Sequence, residues 1–114
     1  MPIKGELVNL TPHEIALYVD GEVIKIPPSG KVARLETEKE LEFALEVQGS
    51  EVLVRRVKYK EVNGLPEPRD GIFYITSLAV AQAVHRNDII VPDTSDAIRD
   101  EKGRILGVKG FIRV

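Results

Sequence analysis

Ile72-Phe73-Tyr74-Ile75-Thr76-Ser77-Leu78-Ala79-Val80-Ala81-Gln82-Ala83-Val84-His85, followed after three polar residues by Ile89-Ile90-Val91, changes its structural preference twice within twenty residues. Ile72 to Ile75 is an apolar run of strand length. Ser77 is placed to accept a hydrogen bond from the free N–H groups of a first helical turn, and the alanine-rich stretch from Leu78 to His85 suits a helix. Ile89 to Val91 returns to strand. So short a β-α-β unit predicts two parallel or neighbouring strands with the helix laid over one face of their sheet.

Upstream, apolar residues alternate or run in β-branched blocks between turn formers. Strands are expected at Glu6–Leu10, His13–Val19 and Glu22–Ile26, with Asp20-Gly21 as a two-residue hairpin turn that needs positive φ. Pro27-Pro28-Ser29-Gly30 fits a β-turn leading into Lys31–Leu35, and a meander is expected. Leu41, Phe43, Leu45 and Val47 alternate with Glu42, Ala44, Glu46 and Gln48, which predicts a strand with one buried and one wet side, helix being the competing assignment. Gly49-Ser50 then turns the chain into a partner strand through Val52–Val54, Val57 and Tyr59. In that pairing the acidic run Glu36–Glu42 meets the basic run Arg55–Lys60 across the sheet.

Residues 62–71, with two prolines and two glycines, read as a connector between a β-meander half (1–61) and a β-α-β half with a closing strand (72–114). The closing strand is drawn from Arg104 to the paired carboxy terminus. His85 is expected to cap the helix. The whole is expected to be one domain, residues 1–114, of α+β class: a β-rich bent sheet or small barrel-like core with one short helix.

Composition narrows the chemistry. With 114 residues, 43% of them hydrophobic and 30% charged, the chain has enough apolar material for one core and is not a candidate for disorder. It has no cysteine, which excludes disulfides, thiolate zinc sites, iron–sulfur clusters and a catalytic thiol. Few amides, one methionine and abundant Lys, Arg and Glu resemble thermophile composition. A net charge of −2 gives no reason to expect nucleic acid. No run approaches the ~20 apolar residues of a membrane span, and the opening residues lack a secretory layout, so a cytoplasmic location without membrane contact is expected. Phosphate loops, dinucleotide fingerprints, nucleophile elbows and His-Glu-x-x-His are missing. No cofactor and no resident metal are expected.

Two polar clusters stand out. Asp93, Thr94, Asp96 and Arg99 follow the strand Ile89–Val91, where open sheets place ligands. If that strand is parallel to Ile72–Ile75, Thr76 and Ser77 come near them, with the helix N–H groups aimed at the same place. The structural alternative is that these are ordinary turn formers and that Arg99 pairs with Asp93, Asp96 or Asp100. Asn9, Thr11 and His13 surround Pro12; they read either as ligand groups, with His13 as a proton carrier beside an aspartate, or as local backbone caps.

Val8-Asn9-Leu10-Thr11-Pro12-His13-Glu14-Ile15, Ile26-Pro27-Pro28-Ser29-Gly30, and Val91-Pro92-Asp93-Thr94 with Asp96-Ala97-Ile98-Arg99-Asp100 together resemble a family of small uncharacterised proteins from archaea, bacteria and their phages. The resemblance covers nearly the whole chain, implies a stand-alone domain and supplies no activity, cofactor or site residue. From the residues alone, the leading expectation is a module binding a small anionic, nucleotide-like ligand through Asn9, Thr11, His13, Thr76, Ser77, Asp93, Thr94, Asp96 and Arg99. The alternative is a structural or interaction subunit that self-assembles, as a homo-oligomer, through an exposed strand edge or through the Leu65-Pro66-Glu67-Pro68 loop. A hydrolase using His13 and an aspartate stands third, and an enzyme is less expected than a binding or assembly role.

Overall fold

The computed structural model describes residues 2–114. Its strands are β1 (Glu6–Asn9), β2 (Ile15–Val19), β3 (Glu22–Ile26), β4 (Arg34–Val47), β5 (Ser50–Asn63), β6 (Ile72–Ile75), β7 (Ile89–Pro92), β8 (Ile98–Arg99), β9 (Ile105–Gly107) and β10 (Phe111–Ile112), with one helix, α1 (Leu78–Val84). A four-stranded sheet in the order β1-β6-β7-β10 forms the body, β1, β6 and β7 being parallel and β10 antiparallel to β7. The β6-α1-β7 crossover takes the expected form. Ser77 Oγ accepts from Val80 N at the helix start, and His85 ends the helix in the left-handed region, its backbone N–H bonded to the Ala81 carbonyl.

The core lies between this sheet, the helix and the segment after β1. Leu10, Ala33, Tyr74, Val80, Ala81, Ile89 and Val91 are buried together, with Leu35, Val62 and Leu65 packed against them. Tyr74 donates to the Glu67 carbonyl (3.2 Å). Arg86 grips Asp88 with Nε and Nη2 (2.9 and 2.6 Å), donates Nη1 to the Pro66 carbonyl (2.9 Å), and lies over the Tyr74 ring. These contacts hold the irregular segment between β5 and β6 against the sheet.

The α+β expectation is overturned. Strands hold 51% of the residues and helix 6%, in several small sheets of which none closes into a barrel, so the protein is mostly β. The helix is real but only seven residues long. The meander fails for a specific reason: β3 pairs with β2, about the expected turn with Asp20 and Gly21 at positive φ, and does not continue into a paired β4, while the other edge of β2 bonds to Val108. Pro27 and Pro28 lack donors for a ladder. Beyond them Ser29 N bonds to the Asn9 carbonyl and Ala33 N to the Leu10 carbonyl, so the chain is tied to the end of β1 rather than to β3. The closing strand is likewise interrupted. β9 pairs with β8 and β10 with β7.

The largest departure is β4–β5. The expected hairpin is present, but its turn is at Gln48-Gly49, both at positive φ, and each strand is fourteen residues long. At about 3.4 Å per residue such a ribbon reaches roughly 45 Å. It pairs with no other strand, and the molecule is 58 Å long with a radius of gyration of 17.9 Å. A compact chain of this length has a radius near 13 Å. The excess is this projecting arm.

Candidate functional site

The carboxyl ends of the three parallel strands lie side by side, Asn9 in register with Ile75 and Ile75 with Ile90. Thr76 and Ser77 continue β6 there, and Asp93 and Thr94 follow β7, so the topology brings one polar cluster to the same sheet edge as the other. Beside it, a hollow of about 190 Å³ has Glu14, Pro92, Thr94 and Leu106 in its wall.

The side chains at this edge are engaged with their own loops. Asn9, 1% exposed, donates Nδ2 to the carbonyls of His13 (2.8 Å) and Ile26 (3.2 Å), while its Oδ1 accepts from Thr11 N (2.9 Å). The Thr11 hydroxyl lies 2.7 Å from the same Oδ1 and 3.1 Å from the His13 carbonyl. Asn9 thus clamps the β1–β2 loop to the end of β3. His13 takes part through its backbone, and the residue is exposed. Buried Thr76 donates to the Ser77 carbonyl (2.9 Å).

Asp93 Oδ1 accepts from Ser95 N (3.0 Å) and from the Ser95 hydroxyl (2.6 Å). Those two donors hold the Asp93 carboxyl below the usual carboxylate range. Asp96 pairs with Lys109 (3.5 Å) and Asp100 with Arg104 (2.9 Å). Arg99 pairs with none of Asp93, Asp96 or Asp100; it donates to the Gly103 carbonyl (2.8 Å) in the β8–β9 turn. Among the described residues no three His, Asp or Glu side chains gather as a metal-ligand group.

The arm presents a different surface. Residues directly opposite across the ribbon share a face, and faces alternate along each strand. Near the body, Glu38 faces Lys58 and Glu40 faces Arg56, with diagonal contacts from Lys58 to Glu40 (2.7 Å) and from Lys60 to Glu38 (3.4 Å). On that same face toward the tip, Phe43 lies opposite Val54, Leu45 opposite Val52 and Val47 opposite Ser50. Phe43, Leu45, Val47 and Val52 are each 45–48% exposed, so this apolar face has no cover. The buried side expected for this strand is therefore not buried.

Nor do the four apolar residues share one face. Leu41 faces Arg55 and Phe43 faces Val54, so Glu42 is an extra residue, a bulge that shifts Leu41 to the opposite face at 62% exposure. Where the arm meets the body, its base and α1 bound an open cleft of about 600 Å³ lined by Tyr59, Lys60, Gln82 and Ala83 among others.

No helix among the described residues is long and apolar enough to cross a membrane. Comparison with family models, with curated proteins and with solved structures found no match.

Proposed function

We propose that this protein is an assembly subunit whose β4–β5 arm docks onto another protein chain. The observation that carries this reading is the uncovered apolar face of Phe43, Leu45, Val47, Val52 and Val54 on a ribbon that pairs with no other strand. A two-stranded ribbon in water is at best marginally stable, and both its edges carry open main-chain donors and acceptors. Cross-strand ion pairs add little, because exposed pairs contribute roughly 0–1 kcal/mol each. Burial against a partner supplies what the ribbon lacks.

The small-anion reading has weaker support. Its candidate side chains already hold their own loops, Asp93 and Asp96 bring negative charge to the edge, and the neighbouring hollow includes Glu14.

The double variant Phe43→Ser/Leu45→Ser tests the assembly reading, since both residues lie on the arm and outside the core cluster. Its body is expected to keep a cooperative thermal transition, followed through buried Tyr74, with a midpoint at or below that of the wild type, since a dissociated chain loses the stabilisation that association adds. Its mass distribution in sedimentation is expected to shift to the monomer. A wild-type oligomer, or a complex with a co-purifying chain, that the variant retains would remove the arm as the docking element.

A further inference from the structure

We infer that the arm's partner is the arm of a second copy of this chain, set side by side and head to tail: β5 of one copy pairs along its free edge with β4 of the next. This inference rests on the proposed assembly role, and names the partner of the arm's two open edges, whose pairing extends the apolar face from copy to copy.

Charge is divided between the two strands of the arm. Between residues 36 and 42, β4 carries Glu36, Glu38, Glu40 and Glu42 against the single base Lys39. Between residues 55 and 60, β5 carries Arg55, Arg56, Lys58 and Lys60 and no acid. Each arm therefore has one acidic and one basic edge. Pairing β4 with β4, or β5 with β5, over these segments sets like charges opposite each other, which destabilises a sheet. Pairing β5 with the next copy's β4 sets opposite charges together.

Direction agrees with charge. β4 and β5 are antiparallel within one arm, so two arms pointing the same way bring β5 of one antiparallel to β4 of the next. The bonding sense inside the arm is simply repeated between copies.

Level agrees as well. Glu38 stands opposite Lys58 and Glu40 opposite Arg56, so the acidic and basic segments sit at the same height above the body. The apolar segments Phe43–Val47 and Val52–Val54 are likewise level. Without sliding along one another, neighbouring arms then set Lys58 against Glu38, Arg56 against Glu40 and the apolar tips side by side, with Glu51 against Glu46 as the like-charged exception. A head-to-tail contact leaves one free β4 edge and one free β5 edge on any open stack, so association continues beyond two copies.

The cysteine-free chain permits a direct test. Glu40→Cys and Arg56→Cys are made as separate full-length variants and oxidised with copper–phenanthroline, alone and as an equimolar mixture after exchange, because a disulfide joins directly opposed residues but cannot span the two strand spacings, about 9.6 Å, between like positions of neighbouring arms. Native mass spectrometry of the untreated wild type gives the copy number. The expected result is an oligomer larger than a dimer, a cross-linked dimer in the mixture, and loss of that dimer when either variant is treated alone. Cross-linking within either single variant, in an oligomer that depends on the arm, would overturn head-to-tail pairing and leave the assembly role standing. A wild type that stays monomeric at every concentration would overturn self-association. If Phe43→Ser/Leu45→Ser also leaves every measured association unchanged, the assembly role falls with it.

Discussion

Asn9 shows how one polar side chain can organise a loop. It is buried, and its amide satisfies two carbonyls and one backbone N–H from two separate stretches of chain, the loop after β1 and the end of β3. In Asn9→Ala the buried Ile26 carbonyl and the partly buried His13 carbonyl and Thr11 N–H lose their partner, and an unsatisfied buried group costs about 1–3 kcal/mol. The expected loss is about 3 kcal/mol, read as a fall in the denaturant midpoint with an unchanged slope. Were Asn9 chiefly a ligand group, the same variant would keep its midpoint. The sequence marked Asn9, Thr11 and His13 as a cluster and left both readings open, because a turn-forming Asn and a ligand-binding Asn have the same composition around them. What separates them is the position of the Ile26 carbonyl, seventeen residues away, and that is set by the β2–β3 hairpin.

Arg86 and Asp88 drew no notice in the sequence, where they are two charges among many, yet they make the most sheltered ion pair of the described residues, with side chains 23% and 17% exposed. The Arg86 hydrogen bonds hold the Asp88 carboxyl below its ordinary value, desolvation working against them. The sign follows from linkage. As pH falls below about 4 the unfolded chain takes up the Asp88 proton first, so the pair's contribution is complete above the unfolded value and fades as pH drops through the lower folded one. In Asp88→Asn, stability measured by urea titration from pH 5 downward is expected to fall less steeply than in the wild type. Equal slopes would mean that the carboxyl titrates alike in both states.

Individual elements were legible where local chemistry decides them. Asp20-Gly21 needs two positive φ angles, Ser77 offers an acceptor to a starting helix, and Ile72–Ile75 and Ile89–Val91 have the apolar runs of strands covered on both faces. The hairpin of β4 and β5 was legible too, including the meeting of its acidic and basic runs. Its exposure was not. Alternation of apolar and polar residues reports that one face avoids water, and is silent on whether the cover comes from the same chain. The Glu42 bulge is similarly invisible, since nothing in Leu41-Glu42-Phe43 marks an extra residue until the register with Arg55 and Val54 is known. Strand order was the other failure: the meander assumed that neighbours in sequence pair, whereas Ser29 and Ala33 bond back to the end of β1.

Taken whole, the molecule divides its hydrophobic residues between two purposes. Leu10, Tyr74, Val80 and Ile89 close a small body, while Phe43, Leu45 and Val52 stand on an arm that contributes only its base, Leu35 and Val62, to that core. If the arm exists for assembly, the body must not need it. Replacing residues 36–61 by a tight Asn-Gly turn keeps Leu35 and Val62 and removes every residue of the proposed interface. The shortened chain is expected to unfold in one cooperative transition, with buried Tyr74 as its reporter, and to remain monomeric. Its radius of gyration in solution scattering should fall from the 17.9 Å of the single full-length chain to near the ~13 Å of a compact domain. A shortened chain that fails to fold would instead make the arm part of the body's own stability. Its exposed apolar face would then be the far end of a structural strut, and the case for docking would have to stand on the cross-linking pattern alone.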